Sequence, residues 1–173
     1  NEHLKILKEA GVDLIILEAM TSKDRTVENI IECSKNVKLP IWLSISCAIN
    51  EDENILMHGY QESITNSKAK FYDTLENSLS KFSKMHEGPI LVAHSDIKVT
   101  GEAVKILKKV HKGIVGAYPN NGYFEKPHWK LINDISPSKY LEEAKNWISN
   151  GAQIIGGCCG VGPDKISAIS VLK

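Results

Sequence analysis

The stretch Ile154-Ile155-Gly156-Gly157-Cys158-Cys159-Gly160 decides how the chain is read. It closes a short buried run, Ala152–Gly156, and ends in two adjacent cysteines framed by glycine. Neighbouring side chains on a regular strand point to opposite faces, so two such cysteines cannot ordinarily serve one site. Glycines lift that restriction, because they adopt turns that other residues resist. A turn at the C-terminal end of a strand could then aim both sulfurs at one metal. Zinc is the natural candidate, since thiolates suit it and it tolerates an open fourth position. Buried unreactive thiols and a vicinal disulfide are the alternatives. So is a phosphate cradle, in which Gly156-Gly157 and the Gly162-Pro163 helix start supply backbone N–H groups. GxxxxGK[ST] is absent, as is a GxGxxG after the first strand, so nucleotide binding has little support.

Four more runs resemble the one that leads into the cysteines: Val12–Leu17, Ile41–Ser46, Pro89–Ala93 and Gly113–Ala117. Each is short, continuous and rich in Ile, Val or Leu, as parallel strands covered on both faces are. Helical patterns lie between them at Arg25–Asn36, Ala69–Lys84, Gly101–Lys109 and Ser138–Asn150, followed by Pro163–Leu172. Glu2–Ala10 also reads as helix, with Leu4, Ile6 and Leu7 on one side, so the chain starts inside an element as a fragment would. The βα alternation leaves an open doubly wound sheet or a (β/α)8 barrel. Five strands are too few to close a barrel, so pattern alone favours the doubly wound sheet. The polar stretch Asn50–Lys70, with Thr65-Asn66-Ser67, reads as a long loop after a strand.

The 173 residues carry 21 basic and 21 acidic side chains, and 42% are hydrophobic. That length suits one domain, taken as 1–173. Balanced charge gives no electrostatic footprint for nucleic acid or an anionic membrane. The longest apolar runs are far too short to span a bilayer. No secretory or transit pattern reads in the opening residues, and four cysteines do not suggest a secreted disulfide framework. The expectation is a cytoplasmic α/β protein.

Other residues fall where chemistry sits in parallel sheets. Glu18 ends the first strand, placed to bind a cationic group or to satisfy a helix dipole. Tyr118-Pro119-Asn120-Asn121-Gly122 follows the fourth strand and could be a plain turn. His94 at a strand end reads as structural.

Taken together, Gly11-Val12-Asp13 through Glu18, Tyr118-Pro119-Asn120-Asn121-Gly122 and Gly156-Gly157-Cys158-Cys159-Gly160 closely resemble the homocysteine S-methyltransferase family. Leu39-Pro40-Ile41-Trp42-Leu43-Ser44 is similar to its strand-plus-serine segment. The resemblance implies a (β/α)8 TIM-barrel type fold, here a partial barrel of about five βα units, strands four to eight. It implies zinc (Zn2+) on three cysteines and methyl transfer from a small donor to the sulfur of homocysteine, giving methionine. Cys158 and Cys159 would be two metal ligands. Glu18 would hold the substrate amine, with Tyr118 and Asn120 lining the pocket. The third cysteine is expected where this chain has Ser95, a poor zinc ligand because its hydroxyl stays protonated. Strand alternation should turn His94 away from that position, which makes Cys47 at the next strand mouth the better stand-in, although Cys47 also reads as a small buried hydrophobe. A degenerate relative that binds a small amino acid or a partner chain is the alternative outcome. A five-strand piece would also leave two open sheet edges and a tendency to self-associate.

Overall fold

The computed structural model describes residues 2–21, 26–59, 70–125, 130–132 and 134–172. Five parallel strands form its sheet: β1 (Ile15–Leu17), β2 (Ile41–Ile45), β5 (Ile90–Asp96), β6 (Val115–Asn120) and β9 (Ile154–Ile155). Two short antiparallel hairpins stand apart from it, β3 (Ala48–Ile49) with β4 (Ile55–Leu56) and β7 (Tyr123–Glu125) with β8 (Lys130–Ile132). The helices are α1 (Glu2–Glu9), α2 (Thr26–Ser34), α3 (Leu75–Met85), α4 (Ile97–Val110), α5 (Pro137–Ser149) and α6 (Pro163–Ile169).

Strand order distinguishes the two architectures that the sequence leaves open. The five strands lie side by side in chain order, β1-β2-β5-β6-β9. A doubly wound sheet reverses its order at a switch point and sends helices to both faces. Here no reversal occurs, and α2 packs on α3, α3 on α4, α4 on α5 and α5 on α6. One continuous helical layer beside sequentially ordered parallel strands is the arrangement of a barrel wall. The doubly wound preference drawn from pattern alone is thereby corrected, and the fold is α/β with five barrel-type βα units.

The core explains why the strands read as unbroken apolar runs. Ile90, Leu91, Val92 and Ala93 are all essentially inaccessible, so both faces of β5 are covered. Leu91 lies in register with Gly116 on β6, where a Cβ would stand 2.6 Å from the Leu91 side chain. A glycine there lets the two strands and Leu91 share the space. From the helical side, Ala103, Val104 and Leu107 of α4 and Tyr140, Ala144 and Trp147 of α5 complete the core. Each fully buried aliphatic side chain contributes about 1.5–3 kcal/mol.

Capping residues set three of the helix starts. The fourth helix begins at Ile97 rather than Gly101 because Asp96 caps it, its carboxylate accepting from the Lys98 N–H at 2.8 Å. Thr74 and Ser136 cap α3 and α5 in the same way. The starts expected at Arg25 and Ala69 lie outside the described residues, as does the part of the Asn50–Lys70 stretch from 60 to 69, with Thr65-Asn66-Ser67. The described part of that stretch is more than a loop. It carries β4 and buries Leu56, Met57 and His58. In α1, Leu4 and Leu7 touch the core while Ile6 stays exposed. Among the described residues no helix is long and apolar enough to cross a membrane.

At the N-terminal end of the strands, two buried imidazoles precede β5 and β6. His86 Nε2 lies 3.3 Å from the Pro89 carbonyl and His111 Nε2 3.0 Å from the Gly88 carbonyl. Burial lowers the pKa of both below the ordinary histidine value, the carbonyl contacts offsetting it only in part. A folded-state pKa below the unfolded value of about 6.5 means that the unfolded chain takes up protons first. Stability should therefore be unaffected by these groups above about pH 6.5 and fall as pH drops below it. Thermal unfolding followed from about pH 8 to pH 5 should reveal that decline, flattened in a His86→Gln/His111→Gln double variant; an identical slope in both would exclude these rings as the cause.

On one side β1 lacks a strand neighbour among the described residues, and β9 lacks one on the other; Ile16 of β1 is exposed. Such edges promote association. The 173-residue chain on its own should sediment in a concentration-dependent way, and a sharp unfolding transition of a monomer, independent of concentration, would contradict this.

Candidate active site

All the residues singled out by sequence gather at the C-terminal ends of the parallel strands. Glu18 directly follows β1, Ser44 lies in β2, His94 in β5, Tyr118 and Asn120 in β6, and Cys158 and Cys159 follow β9. In parallel α/β folds this is the end where chemistry is housed.

Glu18 is exposed, yet both of its oxygens are held. The Ser44 hydroxyl donates to Oε1 at 3.2 Å and the Tyr118 hydroxyl to Oε2 at 2.7 Å. Ser44 is fixed in turn, its Oγ accepting from the Ala19 N–H and its carbonyl from the Met20 N–H. Ala19 adopts a φ of 49°, which turns the chain sharply after Glu18. Burial, reinforced by the Glu18 charge, holds the Tyr118 phenol protonated well above its ordinary pKa, so it stays a donor to the carboxylate. The result is an anchored carboxylate, open to solvent, suited to receive a cationic group. Sequence reading picks out Glu18 and Tyr118 separately, while the role of Ser44 emerges only from the contact.

The cysteine turn is held by backbone contacts with the end of β6. Cys158 N–H donates to the Pro119 carbonyl at 2.9 Å and Asn121 N–H to the Cys159 carbonyl at 2.7 Å. Asn120 Oδ1 accepts from the Cys159 N–H at 3.3 Å, so this side chain serves the turn itself. Two glycines are required by space. A Cβ at Gly157 would stand 2.2 Å from Val161, and one at Gly160 would stand 2.2 Å from the Asn121 carbonyl at a φ of +74°. Both sulfurs emerge on one side, 3.9 Å apart. Burial, with the neighbouring Cys159 second, pushes the Cys158 thiol up to about 11. The N–H groups of Gly156, Cys158, Cys159 and Val161 are bonded within the protein, so these four are not donors for a phosphate cradle.

His94 does not obey the alternation expected of it. Between Ala93 and Asp96 the chain advances three residues (96 − 93), while its partner advances two, from Tyr118 to Asn120 (120 − 118). One residue is therefore bulged, and His94 absorbs it with a φ of 46°. The bulge swings the imidazole toward the cysteine turn. Ligand-capable atoms of His94, Cys158 and Cys159 lie within 4.8 Å of one another. Ser95 goes the other way. It is buried, donates to the Ala93 carbonyl at 2.8 Å and accepts from the Cys47 N–H at 2.9 Å. Cys47 is fully buried beside it, its thiol pushed up to about 12 by burial, and is not part of the three-residue group. The expectation that Cys47 is better placed than His94 to join the cysteine pair is thus corrected, because it rested on unbroken alternation.

This geometry makes a Ser95→Cys variant informative. Ser95 Oγ lies 3.5 Å from Cys47 Sγ, so the new thiol should meet Cys47, destabilise the core by about 1–3 kcal/mol through overpacking, and leave metal content equal to that of the unsubstituted protein. Metal analysis with a thiol count under mild oxidation checks this; a gain in bound zinc would show that position 95 can reach the pair.

Comparison with known proteins agrees with this architecture. Homocysteine S-methyltransferase 3 of Zea mays is 29% identical over 178 residues, covering 96% of this chain and 46% of that protein. Selenocysteine methyltransferase of Astragalus bisulcatus is 23% identical, with 96% and 46% covered. The chain therefore spans about half the length of the curated relatives it matches. Among solved structures, the homocysteine methyltransferase MmuM from Escherichia coli superposes in its apo form with a TM-score of 0.67 at 16% identity, covering 98% of this chain and 54% of that one. Its metallated form gives 0.68 at 17%, with 98% and 48% covered. The sequence model of the family described as homocysteine S-methyltransferase matches residues 1–172, and the chain belongs to that family.

Proposed function

We propose that this chain is part of a zinc-dependent methyltransferase that methylates the thiol of homocysteine, in one partial barrel domain, with Cys158, Cys159 and His94 as metal donors and Glu18 as the anchor of the substrate amine. The observation that carries this reading is that the anchored carboxylate and the group of soft donors converge at one sheet mouth. Tyr118 bonds to Glu18, and the next residue, Pro119, accepts from Cys158.

The donor group fits the metal. In a tetrahedral zinc site with Zn–S bonds of about 2.3 Å, two thiolates stand about 3.8 Å apart. The Cys158 and Cys159 sulfurs are 3.9 Å apart. Two thiolates and a neutral imidazole balance the charge of Zn2+ and leave a fourth position for substrate, as three-ligand catalytic sites do. When bound, zinc would lower the pKa of the substrate thiol, supplying the thiolate at neutral pH without a strong base.

The protein's own groups do the rest. Glu18, with its two oxygens held by Ser44 and Tyr118, pairs with the substrate ammonium and so orients the sulfur. The thiol proton passes to solvent. The sulfur then forms a bond to the donor's methyl carbon while the carbon–leaving-group bond breaks, its electron pair departing with the donor. A positively charged donor would become neutral in this step.

Metal content of the complete polypeptide, purified under reducing conditions, tests the reading first. Close to one zinc per chain is expected. His94→Ala and Cys159→Ser should each weaken zinc binding beyond the 10- to 100-fold that loss of an outer-shell partner typically costs. A folded protein without zinc would instead favour a degenerate, non-catalytic relative. Glu18→Gln removes a charge-assisted contact worth about 1.5–3 kcal/mol, so KM for homocysteine should rise roughly 10- to 100-fold with a smaller change in kcat. An unchanged KM would remove Glu18 from the substrate site.

A further inference from the structure

We infer that Asn121 is a positioning residue for the metal-binding turn: it locks the peptide between Cys159 and Gly160 so that both sulfurs face His94. This rests on the metal reading above and adds a residue to it. Asn121 is fully buried, and its N–H and both polar atoms of its side chain are engaged. Its N–H donates to the Cys159 carbonyl at 2.7 Å. Its Nδ2 donates to the Gly160 carbonyl at 3.2 Å and to the Asp134 carboxylate. Its Oδ1 accepts from the Ile135 N–H at 3.1 Å. The carbonyls of Cys159 and Gly160, which flank Gly160, thus both turn toward one residue, and this fixes the turn directly after the Cys159 side chain.

The anchor behind Asn121 is itself tied down. Asp134 pairs with the Lys165 ammonium at 3.2 Å, and Lys165 is buried at the start of α6, just beyond the turn. The amide therefore links the end of β6, the cysteine turn, the entry to α5 and the base of α6. Replacing it by alanine strands the Gly160 carbonyl and the Ile135 N–H, groups that are costly to leave unbonded when buried. Partners that orient a ligand from outside the coordination shell typically change metal affinity 10- to 100-fold when lost.

Asn121 could alternatively matter only to stability, and the experiment separates the two roles. Co2+ is titrated into the reduced, complete polypeptide and into Asn121→Ala, with Leu107→Ala in the α4 core as a purely destabilising control. Asn121→Ser, which retains one short donor, carries the test if the alanine variant does not fold. The expected result is Co2+ affinity weakened about 10- to 100-fold in the Asn121 variant with an altered visible absorption spectrum. Leu107→Ala should lower Tm at least as far and leave affinity unchanged. Affinity retained in the Asn121 variant, or lost equally in Leu107→Ala, overturns the inference. If the unsubstituted protein takes up no Co2+, the metal reading fails, and amide hydrogen exchange decides the positioning role alone. Selective loss of protection at Cys158, Cys159 and Val161 in the variant supports it, and unchanged protection overturns it.

Discussion

The hydrogen bonds between residues 119–121 and 158–160 are the constraint on which the rest of the site depends. Two adjacent cysteines cannot face the same way on a strand, so the chain must leave β9, turn, and be held in that turn. Gly157 and Gly160 make the turn sterically possible, since any Cβ there would overlap Val161 or the Asn121 backbone. Possibility is not occupancy, however, because glycine-rich segments have the most conformations to lose. The carbonyl of Pro119, the side chain of Asn120 and both ends of Asn121 select one of them.

The same segment joins the two halves of the mouth. Tyr118, one residue before this clamp, donates to Glu18 from 100 residues away in the chain. Movement of the end of β6 would therefore be felt by both the carboxylate and the sulfurs. A single strand end thus sets the spacing between the feature suited to an amine and the features suited to a soft metal.

A sequential parallel sheet is what brings these pieces together. With neighbours in chain order and helices in one layer, every strand ends on the same side, so residues at or just past the strand ends share one rim. The bulge at His94 is the one break in that regularity within β5. It exchanges the two residues that compete for the rim, turning the imidazole in and sending Ser95 to the buried Cys47. A position that looks like the loss of a ligand in the sequence is, in three dimensions, a buried serine next to a histidine at the rim.

The sequence by itself determined the five parallel strands, the helices between them and their order, because apolar runs, caps and glycines act over a few neighbouring residues; it did not show the two short hairpins. It also carried Glu18, Tyr118 and the glycine-framed cysteine pair as recognisable motifs. It did not determine strand order, since periodicity is the same for a barrel wall and a doubly wound sheet. Nor did it locate the bulge, which exists only in the register of β5 against β6 and is invisible to an alternation counted along one strand. The contacts of Ser44 and Asn121 were equally hidden, as each depends on a partner tens of residues away. Long-range pairing decided which side chains meet, because the direction of a side chain at a strand end follows from its neighbour's register rather than from its own position in the chain.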